Sequence, residues 1–254
     1  MNRITSLQNE YIKQLAKLKT PSGRKLAGQF MVEGKKLCEE ALRSGQKIEK
    51  CLVVESEISN PLLDKIEDEK IICISDHIAK KLSQMDTCPG IFFILQLPEE
   101  KTMHLPPFIL ALDHLSDPAN LGAVLRSAEA FGTELIYLSE GCVDLYSSKT
   151  LRGAMGSAFR VATQRGDLAK FLEARKADGY RILGAGLDRN FKELPEITFD
   201  QPTVVVIGNE ANGISQEILH LCDHGLFIPM KGENESLNAA VAASIILWEQ
   251  SKWK

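Results

Sequence analysis

From Phe108 the chain runs FILALDH and from Thr203 it runs TVVVIG, two continuous apolar stretches of strand length without the alternation of a half-solvated sheet. They predict parallel strands covered on both faces. Helical periodicity fills the intervals at 121–131, 167–178, 215–222 and 236–250. Gly132 and Gly179 close the first two, and Asn120, Asp167, Ser215 and Ser236 are placed as N-caps. Strands alternating with helices predict a wound α/β sheet. Upstream, helix-period segments at 6–19, 35–44 and 75–83 alternate with short β-rich ones at 30–33, 51–55, 71–74 and 91–95, a pattern that predicts a small α/β domain. Between the two halves Leu97–Pro107 (LPEEKTMHLPP) has three prolines, charge and no apolar period. The expected division is therefore an N-terminal domain over 1–98 and a second domain over 107–254.

At 254 residues, 44% of them hydrophobic, the chain is long enough to bury two cores. No apolar run approaches the eighteen or so residues of a membrane span, and the opening MNRITSLQNEYIKQL is polar, so a cytoplasmic location is the expectation. The six cysteines contain no CxxC pair and have no histidine at ligand spacing, which suggests neither a metal site nor a disulfide framework. The net charge of −4 is unevenly spread: residues 1–50 hold eleven Lys/Arg against five Asp/Glu, and residues 51–100 hold four against ten. Lys149, Arg152, Arg160 and Arg165 form a second basic stretch free of acids. Screening confines such fields to about 10 Å, so an acidic protein can still present a local phosphate-binding face.

Candidate chemistry concentrates in three loop-to-helix junctions: DPANLGAVLRSAEAFG from Asp117, VIGNEANG from Val206 and IPMKGENESLNAAVAAS from Ile228. Read singly, Asn120 caps a helix, Arg126 pairs with Glu129 at i+3, Glu210 is a solvated loop acid and Ser236 is an N-cap. Gly208 at a strand exit permits close backbone approach. The alanine-rich run from Ala239 suits tight helix packing. Gly184-Ala185-Gly186 follows a strand, but Arg189 stands where a dinucleotide fingerprint needs its third glycine, and no GxxxxGK[ST] loop exists.

Taken together, the three junctions resemble the signature segments of the SpoU (TrmH-type) RNA 2′-O-ribose methyltransferases. More loosely, Phe30–Gly34 and Thr87–Ile91 resemble the N-terminal RNA-binding domain of two-domain members, and Ser147–Gly156 also matches the family. The resemblance implies a SPOUT α/β domain, its C-terminal segment from about Thr203 threaded into a trefoil knot, and a homodimer formed through the knot. It implies S-adenosylmethionine as cofactor, bound by Gly208, Asn209, Ile228, Met230 and Leu237. Asn120, Arg126, Glu210, Ser236 and Asn238 fall on the catalytic side. RNA is the implied partner, ribosomal rather than transfer RNA, with Arg24, Lys25, Lys149 and Arg152 as candidates for gripping phosphate. In the family the arginine is proposed to deprotonate the ribose hydroxyl. Neutralising an arginine near pH 7 costs roughly 8 kcal/mol, so clamping a phosphate and the developing alkoxide is the preferred reading of Arg126. The rival is an inactive RNA-binding protein on a methyltransferase scaffold, which would have no use for the polar members of the three signatures.

Overall fold

A computed structural model of the chain describes residues 2–98, 105–188, 191–232 and 236–253. It resolves into two compact units, Met1–Glu99 with Asp144–Phe159, and Glu100–Val143 with Arg160–Lys254. Of the proline-rich stretch, residues 99–104 lie outside the described residues, as does Arg189.

The first unit carries β1 (Asn2–Ile4), α1 (Glu10–Lys17), α2 (Pro21–Ala27), β2 (Gln29–Glu33), α3 (Lys35–Arg43), β3 (Ile48–Val54), β4 (Ile71–Ile74), α4 (Asp76–Leu82) and β5 (Ile91–Gln96). Its sheet has the order β1-β4-β3-β5-β2, with β5 antiparallel to both neighbours and the other pairs parallel. Ile12 and Leu15 of α1 and Ile78 and Leu82 of α4 pack on Leu52, Ile72, Phe92 and Ile94 of the strands. The periodicity anticipates α1, α3 and α4 to within a few residues. It misses β1, which is only three residues long, and α2, which a proline opens at its first position.

The second unit continues with β6 (Phe108–Leu112), α5 (Pro118–Ala130), β7 (Leu135–Ser139), β8 (Ala162–Gly166), α7 (Leu168–Ala177), β9 (Arg181–Gly186), β10 (Lys192–Glu193), β11 (Thr203–Ile207), α8 (Gln216–Leu221), β12 (His224–Phe227) and α9 (Ala239–Ser251); α6 (Ser148–Ala154) falls in the first unit. The sheet is parallel throughout, in the order β10-β12-β9-β11-β6-β7-β8. Every residue of β6, β7 and β11 is buried, as their unalternating apolar runs require. Leu168, Phe171 and Leu172 of α7 and Ile218 of α8 cover Ile109, Ala111, Tyr137, Val204 and Val206. The other long helices, α5 and α9, pack on each other, with the Ser127 and Ser244 hydroxyls 2.7 Å apart.

Two N-caps differ from expectation. α5 is capped by Asp117, whose carboxylate accepts from the Ala119 N–H at 2.9 Å, and Pro118 occupies the position that needs no donor. Asn120 thereby falls inside the first turn. α9 is capped by Asn238, not Ser236: the Asn238 Oδ1 accepts from Ala240 and Val241 at 2.9 and 3.3 Å.

Residues 144–159, expected within the second domain, belong to the compact core of the first unit. The Phe30 ring lies 4.6 Å from that of Tyr146. Glu33, almost fully buried, accepts from the Ser83 hydroxyl at 2.7 Å, from the Gln84 N–H at 3.2 Å and from the Ser148 hydroxyl at 2.9 Å. Arg152 completes this cluster, donating to Ser148 and lying 3.6 Å from Glu33. Arg24 corrects the sequence reading. Its side chain is 5% exposed, donates to the Leu18 carbonyl at 2.7 Å and pairs with Asp144, so its guanidinium is committed to the interior and not to phosphate. Arg24→Ala would leave Asp144 without its partner and is expected to lower stability by about 3 kcal/mol. Urea unfolding measures this, and a loss within the range of ordinary surface substitutions would contradict the assignment.

Candidate functional site

Strand order reverses where β11 enters beside β6, and both strands end at the same edge, Leu112 opposite Ile207. Parallel sheets bind ligands in the crevice beyond the carboxyl ends of strands at such a switch. The three polar junctions meet here. Directly after β11 the backbone folds into a tight loop in which Asn209 and Gly213 exchange two hydrogen bonds of 2.9 Å. A Cβ on Gly208 would fall 2.1 Å from the Gly213 carbonyl carbon, so no other residue fits. The need for glycine was foreseen, but the close approach it serves is that of the chain's own backbone.

Glu210 projects from this loop into a set of converging donors. Its carboxylate accepts from the Ser116 N–H at 3.2 Å and hydroxyl at 2.9 Å, from the Asp117 N–H at 3.2 Å and from the Asn120 amide at 2.8 Å. Partial burial by itself would raise the Glu210 carboxyl. The hydrogen bonds from Asn120, from its own backbone and from Ser116 outweigh that effect and hold it down at about 2. Asn120, 9% exposed, passes the linkage on, because its Oδ1 accepts from the Asn238 amide at 2.9 Å. One chain of bonds, Glu210 to Asn120 to Asn238, thus ties together all three junctions. Asn238 also caps α9, so the start of that helix is set relative to the start of α5.

Beside this chain lies a cavity of about 570 Å³. Gly208, Asn209, Ile228, Met230 and Leu237, the five cofactor candidates, all line it, as do Glu210 and Ser236. Arg126 lies in neither the hydrogen-bonded chain nor the cavity wall. It stands about 9 Å along the α5 axis from Asn120, is exposed, and has no hydrogen bond or ion pair among the described residues. The pairing with Glu129 expected for an isolated helix does not form; that carboxylate pairs with Arg160. Lys25 and Lys149 are exposed in the first unit, where Arg152 is engaged with Glu33.

Several participants carry no sequence signal of their own. Ser116 anchors Glu210. Ala185, Gly186, Leu187 and Phe191 line the cavity, although the GxG they adjoin is no dinucleotide loop. Asp113, 1% exposed, accepts from the Ser215 N–H at 2.8 Å and lies 2.6 Å from the His114 Nδ1. His114 takes a left-handed φ of 56°, held there by bonds from its N–H to the Ser139 hydroxyl and to its carbonyl from the Asn209 amide, both 2.8 Å. Only the apolar strand run ending in Asp113 hints at this corner.

Residues 107–248 match the model of the SpoU rRNA Methylase family, and residues 9–92 match that of the MRM3-like substrate binding domain. The 23S rRNA (guanosine(2553)-2′-O)-methyltransferase RlmP of Bacillus subtilis is 32% identical, over 98% of each chain. The 23S rRNA (uridine(2479)-2′-O)-methyltransferase of Streptomyces viridochromogenes is 31% identical, over 97% of this chain and 91% of that one. Among solved structures, the SpoU methyltransferase AviRb of Streptomyces viridochromogenes in complex with AdoMet superposes with a TM-score of 0.85 at 26% identity, covering 96% of this chain and 98% of that one.

The Glu210 carboxyl titrates lower in the folded chain, at about 2, than its ordinary 4.5. Its contribution to stability is therefore fully present above pH 4.5 and fades as the pH falls towards 2. In urea titrations the stability gap between the native chain and Glu210→Gln is expected to be constant above pH 4.5 and to shrink below it; a gap that widens on acidification would contradict the linkage.

Proposed function

The chain belongs to the SpoU rRNA methylase family, and on that premise we propose that it is an S-adenosylmethionine-dependent methyltransferase acting on the ribose 2′-hydroxyl of RNA, ribosomal rather than transfer RNA. The observation that carries this reading is the bonded chain Glu210–Asn120–Asn238 running beside an apolar cavity.

The cavity fits the cofactor. Its volume of about 570 Å³ falls within the 300–1,000 Å³ or so of small-molecule sites. Leu226, Ile228, Met230 and Leu237 offer apolar surface for an adenosyl group, and Asn209, Glu210 and Ser236 supply the few polar groups that fix orientation. S-adenosylmethionine, when bound, supplies an electrophilic sulfonium methyl. The residues around it hold, orient and keep out water. Glu210 is a positioning residue: ionised, with both oxygens engaged, it holds Ser116 and Asn120 in place and is no proton acceptor near neutral pH. Asn120 and Asn238 each spend one amide hydrogen and the oxygen on fixed bonds, which leaves a second N–H apiece for the ribose. Ser236 stands with Asn238 on this side. Arg126, exposed and unpaired among the described residues, clamps an RNA phosphate and stabilises the developing alkoxide.

The finer features follow the same reading. Residues 1–98, joined by 144–159, form the RNA-binding domain, and the rest of 107–254 forms the catalytic domain, supported by the two family matches and by the two compact units. Lys25 and Lys149, both exposed, are the candidates there for phosphate, whereas Arg24 is turned inward to Asp144. The trefoil knot occupies the part from about Thr203 onwards, supported by β12 adding outside β9 before α9 returns to α5. The knot region forms a homodimer, supported by an apolar stripe on α9 where Val241 and Trp248 are 46% and 53% exposed. A cytoplasmic site of action accords with the ribosomal substrate, and no helix among the described residues is long and apolar enough to cross a membrane.

Incubated with methyl-labelled cofactor and 23S rRNA, the protein is expected to produce one alkali-resistant phosphodiester linkage. Label on a base, or none in any RNA, would overturn the reading. Arg126→Ala should lower kcat about a hundredfold or more, while Arg126→Lys keeps measurable activity; equal losses joined to a rate that climbs steeply with pH would instead make Arg126 the base. By light scattering the native chain should have twice the mass of one copy and Trp248→Glu should run as a monomer, whereas a monomeric native chain would remove the dimer.

A further inference from the structure

We propose that α1, α2 and α4 of the first unit present an RNA-binding face, on which Lys17, Lys25, Lys80 and Lys81 hold the phosphates of a single-stranded segment while Leu26 packs against an unstacked base. The proposal rests on the function given above and names a surface that the RNA substrate would use.

Between Glu10 and Glu33 there is no acidic residue, while Lys13, Lys17, Lys19, Arg24 and Lys25 all fall in that interval. Lys13 pairs with Glu10, and Arg24 is turned inward. Lys17, Lys25, Lys80 and Lys81 are exposed and have no ion-pair partner among the described residues. Elsewhere in the same unit several lysines are paired, Lys35 with Glu57 at 3.0 Å, Lys70 with Glu67 at 3.1 Å and Lys47 with Glu49 at 3.8 Å, while Lys36 and Lys65 stand singly among the described residues.

The helices carrying the free charges are locked together. α1 packs on α4, and the Lys19 ammonium donates to the Ser83 carbonyl at 3.0 Å, joining the ends of the two helices. Burial chiefly, and also the Lys81 ammonium, hold Lys19 below its ordinary value against the opposing pull of Glu33. Two cations are thus close enough to repel, and a bound phosphate would relieve that repulsion.

α2 is pinned at the end of α1 by three constraints. The Thr20 hydroxyl accepts from the Gly23 N–H at 3.1 Å, and Arg24 donates to the Leu18 carbonyl at 2.7 Å. Gly23 sits so close that a Cβ there would lie 2.0 Å from the Lys17 carbonyl oxygen. A helix held this firmly cannot roll to bury Leu26, which is 87% exposed beside Lys25. An exposed apolar side chain on the same helix as Lys25 suits a ligand with a charged backbone and flat apolar faces. Single-stranded RNA offers both, whereas bases stacked in a duplex do not present their faces.

The test measures equilibrium binding of a fluorescein-labelled oligouridylate over a range of salt concentrations, alongside methyl transfer to 23S rRNA. Replacing Lys17, Lys25 and Lys81 together by Ala should reduce the slope of log Kd against log salt by about 2. The same change at Lys47, Lys65 and Lys70 should leave it unaltered. Leu26→Ser should weaken binding several-fold at an unchanged slope, and all variants should keep the native melting curve. Native affinity and slope in both the lysine and leucine variants would overturn the proposal even if the native chain methylates RNA. If the native chain transfers no methyl group but the variants lose oligouridylate, the surface stands and the methyltransferase reading falls. Equal loss in the Lys47, Lys65 and Lys70 variant would reduce the effect to overall charge and also overturn the proposal.

Discussion

The second unit depends on a carboxylate that stays ionised because it is surrounded by donors. Glu210 sits on a loop, and removing it partly from water penalises its charge. Ser116, Asp117 and Asn120 repay that penalty with directed hydrogen bonds. The result is a geometric constraint between segments some ninety residues apart. The loop after β11 cannot shift without dragging the start of α5, and Asn120 extends the constraint to Asn238 and so to the cap of α9. Cavity walls built from three separate stretches of chain hold their spacing because these few bonds leave little slack.

The first unit solves a similar problem the same way. Glu33 follows the apolar run Phe30–Val32 at the end of its strand and is more deeply buried than Glu210. It gathers the turn at 83–84 and the start of α6 around two oxygens. In both units one acid at a strand end organises loops that carry no regular structure of their own. Such an acid reads as ordinary in the sequence, since nothing adjacent marks it as the centre of a network. Removing either would leave a group of donors unsatisfied as well as deleting a charge.

What could be read beforehand follows from how local each signal is. The buried parallel strands at 108–112 and 203–207 were legible because full burial writes itself into consecutive residues. The caps were less so: Asp117, Asn120, Ser236 and Asn238 are all capping types, and only the path of the chain selects among them. Asn120 is released from capping by Asp117 and freed to meet Glu210, a pairing no local pattern predicts. Clustered basic residues suggested a phosphate grip at Arg24 and Arg152, yet charge clustering is blind to burial: the Arg24 guanidinium is turned inward to Asp144, while Arg152, partly exposed, lies against Glu33. The cavity-lining residues at 185–187 close and follow a strand placed beside β11 by the sheet order, which one sequence does not display. The converging junctions were recognisable only because three of them occurred together.

The membership of residues 144–159 in the first unit has a consequence for biosynthesis. Arg24 and Glu33 leave the ribosome early, but Asp144 and Ser148 emerge more than a hundred residues later. At typical elongation rates of 5–20 residues per second, the sixty or so residues between positions 99 and 159 keep that unit waiting roughly 3 to 12 seconds. During that interval Arg24 and Glu33 lack the Asp144 and Ser148 partners they hold in the folded chain, although every residue of the core between Ile12 and Ile94 has already been made. The unit's closure is a late event in translation, timed by the arrival of a short helix encoded within the other half of the gene.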